Sequence, residues 1–195
     1  MSRLLPYRAR SARLLCLLAA LAWCPPVAAD EALWALLKGG GQVVLVRHAL
    51  TTPGTGDPEG MKLDDCATQR NLSDEGRAHA RRLGEAFRAR AVPVGQVLSS
   101  PWCRCIETAR LAFGQAPGIA PALGNLFGRP ERAGPQVGEL RPLVGRRPVG
   151  GNLVLVTHGS TIMALTGISP DTAEMVVLTP REGGRFGFAG RMRIP

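Results

Sequence analysis

The chain has 195 residues, enough for one domain with a short processed segment, and at 45% hydrophobic residues it can bury a real core. Its formal charge is +9, from 24 Lys and Arg against 15 Asp and Glu. No basic run with interleaved aromatics is present, so nucleic acid is not an expected partner; a basic excess carried mostly by Arg suits a small anion instead.

Residues 1–29 predict an export signal. Arg3, Arg8, Arg10 and Arg13 make a basic start with no acid, and Leu14 to Ala22 is an apolar run too short to span a bilayer. Val27-Ala28-Ala29 is a small-residue cleavage site, so the mature chain is expected to begin at Asp30. Without those four Arg the balance is 20 basic against 15 acidic residues, or +5. The domain is therefore expected over 30–195, in the periplasm or secreted, with no stable membrane span once the signal is removed. Trp23 before Cys24 argues against a lipid-anchored form.

Asp30 to Lys38 predicts a short helix closed by Gly39-Gly40-Gly41. Val43 to Val46 is an unbroken apolar run, mostly β-branched, as in a strand buried on both faces of a parallel sheet. It ends at Arg47-His48. A long loop rich in Gly, Pro and Asp follows, Thr51 to Asp65; loops of that length are more often functional than idle. Ser73 caps the next helix, whose buried face is Gly76, Ala80, Leu83 and Phe87. Val94 to Leu98 is a second strand. It runs through Ser99-Ser100-Pro101 into a helix expected to bury Ile106, Ala109 and Phe113. Gly114 to Gly151 reads poorly, with one short helix near Val137 to Val144. Leu153 to Val156 repeats the first strand and ends at His158-Gly159. A helix over Thr161 to Thr166, a strand over Glu174 to Leu178 and a hairpin turn at Gly183-Gly184 complete the chain. Alternating strands and helices predict an α/β fold, a three-layer sandwich around a mostly parallel sheet.

Three of the strand ends carry chemistry. Ligands of open α/β sheets bind at the carboxyl ends of the strands. If these strands are neighbours, Arg47 and His48, Ser99 to Arg104, and His158 share one edge. Two His and two Arg beside helix N-termini suit a dianion such as phosphate. His79 sits on its helix as a solvated residue. In the mature chain Cys66, Cys103 and Cys105 remain, and an oxidising compartment predicts one disulfide, from Cys66 to Cys103 or to Cys105. No metal-ligand spacing is present, so no metal or other cofactor is expected.

LVRHA at 45–49, RNLSDEG at 70–76, SSPWCRCIETA at 99–109 and VTHG at 156–159, in this order, resemble the histidine phosphatase superfamily with its phosphoglycerate mutase-like fold. The resemblance spans roughly residues 42 to 180. It implies covalent catalysis: His48 attacks phosphorus, and water then releases phosphate. Arg47, Arg104 and His158 would carry the charge of the transferring group, with Arg70 and Asp57 as further substrate-binding candidates. Ala49 departs from the family's usual Gly after the His. The proton donor has no motif behind it; Glu131 is the first candidate, Glu139 the second, and Asp57 could face the pocket from its loop. The expected function is an exported phosphomonoesterase acting on a phosphorylated small molecule or glycan, of open oligomeric state. A non-catalytic anion-binding protein on the same scaffold is the alternative.

Overall fold

The computed structural model describes residues 26–194, so the expected export segment lies outside the described residues except for its last four. Those four open helix α1, Pro26–Lys38, which therefore starts earlier than the expected Asp30. Gly40 and Gly41 follow with φ of 66° and 72°, a left-handed exit that glycine adopts without strain.

Strand β1, Val43–Arg47, is buried along nearly its whole length. The chain then passes through the long loop into α2, Asp74–Ala89, β2, Val94–Ser99, and α3, Cys103–Phe113. A two-residue edge strand, β3, Gly118–Ile119, has no counterpart in the sequence reading. Helix α4, Ala133–Val144, strand β4, Asn152–Thr157, and helix α5, Gly159–Thr166, follow. The chain closes with β5, Met175–Arg181, and β6, Arg185–Met192, joined through Gly183 and Gly184 as the turn signal predicted.

The six strands form one sheet in the order β3-β2-β4-β1-β5-β6. β3, β2, β4 and β1 are parallel, while β5 and β6 run antiparallel to their neighbours. Side chains alternate across a strand, and both faces of this sheet are covered. Val44, Val46, Val154 and Val156 pack on one face against Leu37, Leu83, Phe87 and Ala109 of α1 to α3. Val43, Leu45, Leu153 and Leu155 pack on the other against Leu140 of α4 and Ile162 of α5. The three layers expected from the sequence are present.

Ser73 caps α2 as expected, its Oγ accepting from Gly76 N–H at 3.1 Å. Gly76 has a second duty, because a Cβ there would stand 1.9 Å from the Leu50 carbonyl oxygen. Helix α3 is rotated relative to the sequence reading. Its buried side chains are Arg104, Cys105, Thr108, Ala109 and Ala112, while Ile106 faces a surface hollow. The cause is the small residues, since α2 approaches so closely that a Cβ on Gly84 would meet Ala112 oxygen at 1.8 Å.

Candidate active site

Sheet order and register decide where the site forms. Arg47 lies opposite Thr157 in the β1–β4 pair, so His48 and His158 leave the sheet side by side. Their ring centroids are 5.3 Å apart. Ser99 lies opposite Val156 in the β2–β4 pair, and Ser100 Oγ reaches His158 Nε2 at 2.8 Å. The three strand ends thus meet at one edge. A cavity of about 450 Å³ opens over it, with Arg47, His48, Arg70, Arg104 and His158 in its wall.

His48 is buried, and its Nδ1 lies 2.9 Å from the Ala49 carbonyl oxygen. A carbonyl only accepts, so Nδ1 carries the proton and Nε2 keeps its lone pair. Burial lowers the His48 pKa from 6.5 to about 3; the Ala49 bond opposes this, and the charges of Arg104, Arg47 and Arg70 reinforce it. His158 is held well below its ordinary value by burial, then by His48 and the charges of Arg104 and Arg47. Both imidazoles are neutral near pH 7. Ala49 sits at ordinary negative φ, so its methyl costs no backbone strain. Its N–H donates to Thr108 Oγ1 at 3.1 Å, and that hydroxyl donates to Arg104 oxygen at 2.7 Å. Thr108 therefore ties the turn after His48 to the helix that carries Arg104.

Among the described residues four buried side-chain nitrogens have no hydrogen-bond partner: Arg47 Nε, Arg70 Nε, Arg104 Nε and His158 Nδ1. Every one belongs to a residue of the cavity wall. Buried polar atoms are nearly always paired, so four unpaired ones around one cavity need a reason. Three guanidinium groups around two neutral imidazoles make the cavity an anion site in charge as well as in donors.

Asp57 stands behind Arg104. Its Oδ1 accepts from Arg104 Nη1 at 2.5 Å and from Arg70 N–H at 3.3 Å; its Oδ2 accepts from Arg104 Nη2 at 3.1 Å and from Trp102 Nε1 at 3.0 Å. Burial works against the charge on this carboxyl, but the Arg104 bonds and charge outweigh it and the pKa falls below the usual 3.8. Asp57 thus pins Arg104 from the long loop. Cys66 joins Cys103 in a disulfide, Gln69 Oε1 accepts from Cys103 N–H at 3.0 Å, and Arg70 donates to Gly54 oxygen. Among the described residues Cys105 is the free thiol, fully buried, 3.5 Å from His158 Nε2, and burial pushes it up to about 12.

The structure brings together His48, Arg47, Arg104, His158 and Arg70, with Asp57 touching the last Arg of the group through its main chain. It does not bring Glu131 there. Glu131 lies exposed with Glu139 in a separate hollow of about 290 Å³ beside α4, because the turn before that helix faces away from the strand ends. Among the described residues no Asp or Glu lines the main cavity. His79 is also not simply solvated; its Nε2 reaches Ile194 oxygen at 2.8 Å. Five wall residues are not read as such from the sequence: Asn125 and Phe127 before α4, Ser160 and Met163 on α5, and Ser169 after it.

A family model described as the histidine phosphatase superfamily (branch 1) matches residues 43–123. The protein histidine phosphatase SixA, solved with tungstate, is similar in fold at a TM-score of 0.56 and 20% identity, over 78% of this chain and 96% of that one. Residues 43–123 are thus similar to the histidine phosphatase superfamily, and the fold is shared with this phosphatase. Other solved structures of similar fold include a mycobacterial glucosyl-3-phosphoglycerate phosphatase, with a TM-score of 0.52 and 20% identity over 76% of this chain and 97% of that one. A phosphoserine phosphatase from Entamoeba histolytica follows at 0.53 and 14%, over 77% and 95%. No curated protein sequence matches the chain. The histidine phosphatase match ends at 123, so Asn125, Phe127 and His158 lie beyond it.

Proposed function

We propose that the chain is an exported phosphatase that hydrolyses a phosphorylated substrate through a phosphohistidine on His48. The four unpaired nitrogens of Arg47, Arg70, Arg104 and His158 carry this reading, since a phosphoryl group offers the oxygens they lack. His48 presents an unprotonated Nε2, held by the Ala49 carbonyl bond at Nδ1, as a nucleophile must. In the reaction the lone pair on Nε2 attacks phosphorus opposite the leaving oxygen. Arg47, Arg70 and Arg104 hold the equatorial oxygens as charge builds, and His158, whose Nδ1 has no partner in the protein, adds a donor beside them. Fixed cations supply the positive charge, so the reading calls for no metal.

Export is part of the proposal. It draws support from the basic and apolar pattern of residues 1–29 and from the Cys66–Cys103 disulfide, a bond that persists in oxidising compartments.

Purified protein should release phosphate from p-nitrophenyl phosphate, with and without EDTA. His48→Ala should abolish the release. A protein that binds phosphate but turns over no phosphorylated compound would be an anion-binding scaffold instead.

A further inference from the structure

Departure of an alkoxide needs a proton, and a positioned general acid typically accelerates such a step by about 10²–10⁴-fold. Among the described residues no carboxyl or thiol lines the cavity wall to give one, and the hydroxyls of Thr55, Ser160 and Ser169 are far too weakly acidic. Arg47, Arg70 and Arg104 are permanent cations. Ser160 Oγ is already engaged, 2.9 Å from Asn125 Oδ1 and 3.1 Å from Leu126 N. His158 sits neutral among the guanidiniums, against Ser100, Cys105 and Trp102. Glu131 and Glu139 line a different hollow.

Among the described residues Asp57 is the carboxyl bonded to the arginines of the wall. It borders a second hollow of about 390 Å³ that shares Gly56, Asn125 and Phe127 with the main cavity. Its geometry removes it as a donor. Both oxygens accept N–H bonds, four in all, from Arg104 twice, Trp102 and the Arg70 main chain. A proton on either oxygen would point at one of those donors.

We infer that this site acts on phosphoryl compounds whose leaving group departs unprotonated as a stable anion, aryl phosphates first and acyl phosphates beside them, and that it discriminates against alkyl monoesters. The inference rests on the phosphatase reading above. It needs no added proton. His48 Nε2 forms the P–N bond as the P–O bond breaks, and that electron pair stays on the leaving oxygen, which departs as an anion. Water then attacks phosphorus, the P–N pair returns to Nε2, and the water protons remain with phosphate or pass to solvent. The rim favours a flat apolar leaving group: Phe127 and Met163 line the cavity while 59% and 49% exposed. An aryl leaving group would find apolar surface there.

The test is phosphate release by the purified protein from a series of substituted phenyl phosphates of graded phenol acidity, with acetyl phosphate, benzyl phosphate and glycerol phosphate beside them. Expected is a steep fall in kcat/KM as the departing phenol becomes less acidic, with the alkyl esters about 10²–10⁴-fold below p-nitrophenyl phosphate. Asp57→Asn and Glu131→Gln should leave that slope unchanged, whatever they do to the absolute rate. A flat series, or alkyl esters within tenfold of p-nitrophenyl phosphate, would overturn the inference and leave the phosphatase reading standing. So would an Asp57→Asn protein that loses alkyl esters selectively. If that variant fails to fold, the wild-type slope alone decides. No turnover of any member, activated ones included, would overturn both.

Discussion

At His48 and His158, burial does two things at once. It keeps both imidazoles neutral among three guanidiniums, and it makes their neutrality a condition of folding. The sign follows from the protonation balance. Unfolded His takes up a proton near pH 6.5, whereas folded His48 does so near 3 and folded His158 also well below its ordinary value. The unfolded chain therefore binds more protons as pH falls below 6.5, and stability is lost across that range. For His48 alone the full loss is on the order of 4–5 kcal/mol. Asp57, shifted down from 3.8, adds a further loss as pH falls through its folded value. Melting temperature measured from pH 7 to pH 4 should fall, and His48→Ala should flatten that fall. Identical slopes in the two proteins would contradict the buried neutral state. In activity, Arg104→Ala and His158→Ala should each cost about 10²–10³-fold in kcat, the usual loss for one charge-stabilising group. A loss under tenfold would take that residue out of contact with the transferring phosphoryl group.

At the scale of elements, the loop after β1 and the start of α3 behave as one unit. The Cys66–Cys103 bond closes a separation of 37 residues, worth about 4 kcal/mol on the chain-entropy estimate. The same loop delivers Asp57 to Arg104. Reductant should lower the melting temperature and the activity together, and a chain beginning at Asp30 should show one free thiol, Cys105, titrating only after unfolding. Three accessible thiols with unchanged melting would contradict the bond. How much of this was legible follows the range of the forces involved. Val43 to Val46 and Leu153 to Val156 announced themselves because a strand covered on both faces must be apolar throughout, and the His after each inherits its place from that strand. Ser73 and the face of α2 were local signals too. The rotation of α3 was not, because it depends on Gly84 meeting Ala112 across two helices. Nor was the four-bond clamp on Asp57, or the placing of Phe127 and Met163, since loop side chains owe their positions to partners distant in sequence. The placing of Glu131 in a separate hollow has the same cause: an acid near the right sequence position carries no information about which way its turn faces.

For the whole molecule, charge and compartment connect. The positive charge sits in Arg, and the guanidiniums that matter converge from β1, the long loop and α3 on one edge of the sheet. A disulfide that helps hold one of those Arg is compatible with the proposed export to an oxidising space. Mass spectrometry of the protein from its native host should find Asp30 as its first residue. An intact chain starting at Met1 in the cytosol would remove the export proposal and the rationale for the disulfide, while leaving the geometry of the cavity untouched.

The central claim is that His48 carries the phosphoryl group. Incubating the protein with an activated phosphoryl donor, quenching in alkali where phosphohistidine survives, and mapping the modified peptide by mass spectrometry tests it directly. One phosphoryl group on His48 Nε2 is expected, absent in His48→Ala and discharged on a chase with water alone. Label on another residue, or turnover that persists in His48→Ala, would contradict the account.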